Sequence, residues 1–189
     1  MRVALVVGAV ALCATACGVP TSSRPERIAP AVVPYGLLAR SHQLPATPSA
    51  GPTTTVYLVE GERLVPARRR VTGLNVPAES LRALLGGPNS QESLGGFVSD
   101  IPSQTRLISL DLNGAIASVD LSDDFGGAGG SQQVLAVAQI VYTLTASKYI
   151  DAVAFSLAGK RIEVPDGSGS LSTSPRSRAD YKKEAPAGG

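Results

Sequence analysis

The chain has 189 residues, of which 43% are hydrophobic, 17% charged and 4% aromatic, with no Trp and a net charge of +2. At roughly 150 residues per domain this length holds one domain with flanking segments, and the near-neutral charge argues against a nucleic-acid binder. Gly 20 and Pro 14 are too many for a helical bundle and too aperiodic for collagen, while two Cys and one His supply no spaced ligand set for structural zinc.

The first element is an address. Met1 and Arg2 precede an apolar run from Val3 to Leu12, about half the ~20 residues a membrane-spanning helix needs, which is the pattern of a secretory signal peptide over residues 1–16. Its end, Ala14-Thr15-Ala16-Cys17-Gly18, resembles a bacterial lipobox, so Cys17 is the expected site of lipidation and its two acyl chains the expected anchor on the outer face of the cell membrane. An ordinary secreted protein with an unpaired Cys17 is the competing reading.

Residues 17–53 read as a Pro-rich linker, since repeated Pro favours extended polyproline II that could reach on the order of 110 Å. His42 lies there, without a partner to make it a general base. Residues 167–189, rich in Gly, Ser and charge, read as a flexible tail.

The core, residues 54–166, alternates hairpins and helices. Thr54–Glu60 and Leu64–Val71 predict a hairpin turning at Gly61-Glu62, with Pro66 marking an edge. Pro77 opens a helix carrying Leu81, Leu84 and Leu85, which Gly86-Gly87-Pro88 ends. Leu107–Leu112 and Ala115–Leu121 form a second hairpin across Asn113-Gly114, with Leu112 opposite Ala115, Leu110 opposite Ala117 and Ile108 opposite Val119. A longer helix starts at Ser131 and buries Val134, Val137, Ala138, Val141 and Leu144. Its other side shows Gln132, Ala136, Gln139 and Thr143, and no charge occurs between Ser131 and Ser147. Val153, Phe155 and Leu157 alternate in a further strand that turns at Gly159 towards Ile162 and Val164. The expected fold is α+β: a single small mixed or antiparallel sheet of hairpins with two helices on one face.

Chemistry-bearing motifs are sparse. The Gly126–Gly130 loop before a helix lacks the Lys-Ser/Thr of a phosphate loop, so no nucleotide cofactor is expected. Asp120, Asp123 and Asp124 lack the spacing of an EF-hand and suit turns and caps, so no metal is expected either. Ser nucleophiles have no His within the core. Arg68-Arg69-Arg70 alternates across a strand, solvating an edge or, as the second reading, meeting an anionic wall polymer or a partner.

Several stretches come in a recognisable order: Val56-Tyr57-Leu58-Val59, Leu64-Val65-Pro66-Ala67-Arg68, Leu84-Leu85-Gly86-Gly87-Pro88, Ile101-Pro102, Gly114, Val119-Asp120-Leu121-Ser122 and Gln139-Ile140-Val141-Tyr142-Thr143-Leu144-Thr145. The series resembles the GerMN domain, a module of sporulation and germination proteins and of actinobacterial envelope lipoproteins. The resemblance covers about Val56 to Val164. It implies an α+β fold similar to ring-building motifs, no catalytic residues, and a role through an envelope protein partner or self-assembly. With it, the charge-free helix face at Gln132, Gln139 and Thr143 and the edge cations Arg68 and Arg70 become candidate contacts, unless the linker or tail covers that face. Binding of a small ligand or wall glycan, with hydrolase activity as its extension, is the alternative.

Overall fold

The computed structural model describes residues 51–187; the signal peptide, Cys17, His42 and the linker up to residue 50 lie outside them. The first hairpin forms as expected. β1 (Thr53–Glu60) and β2 (Arg63–Arg70) pair antiparallel from Thr53–Arg70 to Glu60–Arg63, around Gly61 at φ +63°. Helix α1 (Val76–Leu85) follows, capped by the Asn75 side chain, which accepts from the Ala78 amide at 3.2 Å. A short helix α2 (Ser90–Leu94) is an addition to the two expected, and its signal is a capping box between Asn89 and Glu92.

The second hairpin, β3 (Leu107–Asn113) and β4 (Ile116–Leu121), keeps its expected strands and changes its register. Leu112 faces Ala117 and Leu110 faces Val119, so the loop is Gly114-Ala115. Gly114 sits at φ +60° and Ala115 does not, as a turn with Gly at its first central position requires. The displacement is two residues, which leaves each side chain on its expected face. A bulge between Leu107 and Ser109 makes Ile108 an extra residue, 55% exposed rather than packed against Val119.

After a 3-10 turn (Asp123–Gly127), helix α3 (Ser131–Leu144) crosses over to β5 (Ala152–Leu157), which lies parallel to β4. β6 (Lys160–Arg161) adds a short antiparallel strand, giving a mixed sheet in the order β3-β4-β5-β6. β7 (Val164–Pro165) and β8 (Leu171–Ser172) pair separately. The α+β class and the mixed sheet stand, but the single sheet is replaced by three. Several outward backbone groups of β1 and β2 are taken by other parts of the domain. The Val59 and Val98 backbones bond to each other at 2.9 Å, and the Leu64 amide donates to the Glu184 carbonyl at 2.8 Å. The helices also do not cover one face. α3 meets β1, β2 and β5 while α1 meets β1 and β3, so each contacts both larger sheets.

The flexible tail expected at residues 167–189 is instead fastened to the domain at Arg176, Tyr181 and Glu184. A 3-10 helix (Arg178–Tyr181) seats the Tyr181 side chain at 0% exposure, with its hydroxyl donating to the Pro165 carbonyl at 2.6 Å. Burial pushes the Tyr181 phenol well above its usual pKa. Arg176, also buried, donates to the carbonyls of Val164 and Ser170 and bridges its backbone to Val153. Composition missed this because a few side chains, Arg176 and Tyr181 among them, hold a segment that is otherwise mostly small or polar. Tyr181→Ala is expected to lower stability by about 3–5 kcal/mol in urea denaturation, the cost of deleting a fully buried aromatic; a loosely attached tail would show no change.

Candidate functional site

The side chains singled out as contacts separate sharply once folded. Gln139 is 0% exposed and Thr143 is buried with it, so the charge-free side of α3 is interior and the expectation of a contact face there is corrected. Each polar group has a specific partner. The Gln139 amide nitrogen donates to the Tyr57 carbonyl at 2.9 Å, and its oxygen accepts from the Asp100 amide at 2.9 Å. Thr143 Oγ1 accepts from the Tyr57 amide at 3.0 Å. Together they occupy the outward backbone groups of Tyr57, where a further strand would otherwise pair. The cover over this face is thus β1 and the segment around Asp100. A helix of fourteen residues without a charge reads, by the same physics, as one buried all round.

Gln132 is exposed in the first turn of α3 and reaches the Asp100 carbonyl at 3.3 Å. The Asp100 carboxyl is raised above its usual pKa by burial. Arg68 and Arg70 are exposed on β2. Arg69, between them, pairs with Glu92 and donates to the carbonyls of Ala83 at 3.3 Å and Gly87 at 3.0 Å. It fastens β2 to α2 and the end of α1. The three arginines therefore do not form one stripe.

Arg178, read as part of a solvated tail, is a second structural cation. Its guanidinium lies 4.8 Å from the Tyr142 ring and 5.5 Å from the Tyr57 ring, which meet edge-on with centroids 5.3 Å apart. It donates to Thr145 Oγ1 at 2.8 Å and to the Tyr142 carbonyl at 3.0 Å, satisfying the C-terminal end of α3. Burial raises the Tyr142 phenol, against the opposing charge of Arg178. No local sequence signal announces this pairing, because Tyr57, Tyr142 and Arg178 lie far apart along the chain.

The aspartates staple turns. Asp120 accepts from the Gly159 amide at 3.0 and 3.1 Å, and Asp124 from the Ser122 hydroxyl at 2.9 Å. Among the described residues no group of three or more His, Cys, Asp or Glu is placed to hold a metal ion. Likewise no described helix is long and apolar enough to cross a membrane.

Among the described residues the outer edge of β3 is also open to solvent. The two-residue loop makes Asn113–Ile116 the closing hydrogen-bonded pair, so the backbones of Leu110 and Leu112 point away from β4. Among the described residues they bond to nothing outside the strand. Leu112 is 51% exposed, and Ile108, four residues earlier at the bulge, is 55% exposed. A groove of about 680 Å³ lies elsewhere, lined by Tyr57, Pro66, Tyr142, Arg178 and Lys182. A cleft of about 300 Å³ is lined by Glu62, Arg63, Ser131, Lys183 and Glu184.

Gln139→Ala should cost about 2–4 kcal/mol in urea denaturation, since it strands a buried amide and a buried carbonyl, whereas Gln132→Ala should change stability by less than about 0.5 kcal/mol. Glu92 gives a pH test. Burial alone would raise its carboxyl, but the hydrogen bond from Arg69, that from the Asn89 amide and the Arg69 charge together hold it below the ordinary 4.5. A depressed folded-state pKa stabilises fully above 4.5 and is lost as pH falls through the lowered value. Glu92→Gln should therefore unfold at lower urea than the parent at pH 7, and the gap should close on acidification well below 4.5.

The family model described as Germane, sporulation and spore germination, matches residues 47–163, more than half of the chain. The match stops before β7 and the 3-10 helix that complete the cover of α3. The tandem GerMN domains of the sporulation protein GerM from Bacillus subtilis superpose with a TM-score of 0.57 at 22% identity, covering 68% of this chain and 47% of that one. The first GerMN domain of the same protein gives 0.56 at 24% identity, covering 68% and 98%. The chain thus spans about half the length of the tandem-domain structure and nearly all of the single domain. No curated protein matches significantly. With the α+β fold and the extent of the family match in hand, the chain belongs to the Germane family, with a domain of GerMN type.

Proposed function

We propose that this chain is a lipoprotein, anchored through acylated Cys17 on the extracytoplasmic face of the cell membrane, whose GerMN domain is a non-catalytic protein-interaction module of the cell envelope. The single observation that carries the interaction reading is the contrast between edges. At Tyr57, Val59 and Leu64 the first hairpin's outward backbone is occupied from within the domain, whereas β3 offers Leu110 and Leu112 with no such partner among the described residues. An open strand edge flanked by apolar side chains is a template for adding a strand from another chain. Membership of a sporulation and germination family supports an envelope setting. The anchoring part rests on the lipobox-like residues Ala14 to Gly18. The polar and cationic groups that would be expected to serve chemistry, Gln139, Thr143, Arg69, Arg176 and Arg178, hold structure together.

A second reading, binding of a small ligand or wall glycan, is favoured by the cleft beside Glu184. That side chain is 9% exposed, and its Oε2 has no hydrogen-bond partner among the described residues. A rise in melting temperature with peptidoglycan fragments would support it, and turnover of those fragments would overturn the non-catalytic reading. For the leading proposal, Cys17→Ala in a bacterial host is expected to abolish the processed, membrane-bound form. In-cell crosslinking of the parent should capture envelope protein through β3. Membrane retention of a processed Cys17→Ala chain would sink the anchor.

A further inference from the structure

Resting on the second reading above, we propose that the cleft beside Glu184 binds an aliphatic amino acid in its zwitterionic form. Three separate parts of the chain build the cleft: the β1–β2 turn with Glu62 and Arg63, the start of α3 with Val134 and Leu135, and the C-terminal segment with Lys183 and Glu184. Its volume of about 300 Å³ lies at the small end of ligand pockets, which suits one such molecule rather than a polymer. Glu184 is the group that calls for a ligand. The residue is 9% exposed, its Oε2 is enclosed without a hydrogen-bond donor, and no ion pair reaches it among the described residues. An ionised carboxylate buried without a partner is unfavourable, so an ammonium that donates to it gains more than it would at an exposed acid. Gly167, which lines the same cleft, keeps the space beside the group. A Cβ there would stand 2.9 Å from Oε2 and 3.4 Å from Oε1, and 2.8 Å from the Asp180 carbonyl oxygen that accepts from the Gly167 amide.

The charges of the lining select a zwitterion. Glu62 and Glu184 balance Arg63 and Lys183, so a plain cation would also meet two positive side chains and a plain anion two negative ones. A carboxylate has its own place in the cleft. Helix α3 starts at Ser131 with no side-chain cap, which leaves first-turn amides to attract an anion, and the exposed Arg63 and Lys183 line the same space. Val134 and Leu135 supply an apolar wall against which an aliphatic side chain packs.

The test is calorimetric titration and thermal melting of the full chain carrying Cys13→Ser and Cys17→Ser. L-leucine is expected to bind saturably and to raise the melting temperature. N-acetyl-L-leucine, which has no ammonium, and L-leucinamide, which has no carboxylate, should each bind at least about tenfold more weakly. Glu184→Gln should weaken leucine binding at least about tenfold and leave the melting temperature of the free chain unchanged or higher, because it removes a buried unpaired charge. A side chain that only held the C-terminal segment in place would do the reverse. Should Glu184→Gln not fold, Lys183→Gln at an exposed site carries the test: it should weaken leucine and leave leucinamide unaffected. N-acetyl-L-leucine binding as tightly as leucine, or unchanged leucine affinity in the variants, overturns the amino-acid proposal. If leucine does not bind and peptidoglycan fragments do, the small-ligand reading survives without it. If neither binds, both fail.

Discussion

The rest of the domain depends on keeping water away from α3. A fourteen-residue helix with no charge has no side suited to solvent, and from Leu135 to Leu144 every residue is buried. Each neighbouring element supplies part of the cover: β1 and β2, α1, β5, β7 and the C-terminal 3-10 helix. Apolar burial drives this arrangement without specifying direction. Orientation comes from the two polar groups that the helix carries inside. Gln139 and Thr143 have to reach hydrogen-bond partners, and the outward amide and carbonyl of Tyr57 are of the right type and spacing. A buried polar group with a defined partner penalises every alternative docking of helix on strand.

The same requirement shapes the molecule's exterior. Backbone groups at a strand edge need partners as much as those inside a sheet, and the domain meets that need in different ways. Side chains from α3 fill Tyr57, a backbone bridge fills Val59, the C-terminal segment fills Leu64, and Pro66 brings no donor to fill. Arg176 does similar work beside β5 through Val153. Several outward groups of the first hairpin are thus filled from within, while Leu110 and Leu112 on β3 have no such partner among the described residues.

Several elements were legible from local pattern. Both hairpins, the start of α1 near Pro77 and the start of α3 at Ser131 follow from alternation, helical spacing and turn residues. The second hairpin shows the limit of that reading. Asn-Gly is a strong turn signal, yet Gly114-Ala115 forms the loop, since a Gly at the first central position serves a different turn type equally well. The face assignment survived because the displacement was even; the side-chain partners did not. In α2 the signal was present, Asn89 and Glu92 at capping-box spacing, in a stretch too short and polar to show a helical stripe.

Short-range chemistry and composition were enough to define the α+β class, the order of the longer strands with α1 and α3, the GerMN likeness and the lipobox-like Cys17, since each is written in residues close along the chain. Whether a polar residue on a helix faces water or a strand edge is set by what arrives from tens of residues away. Gln139 and Thr143 became interior through Tyr57 and Asp100, and Arg178 became a structural cation through Tyr142 and Tyr57. Tyr181 turned an apparently loose tail into part of the core in the same manner. Such pairings are decided in three dimensions because a hydrogen bond or a ring contact depends on distance and direction, and sequence spacing carries neither across long separations.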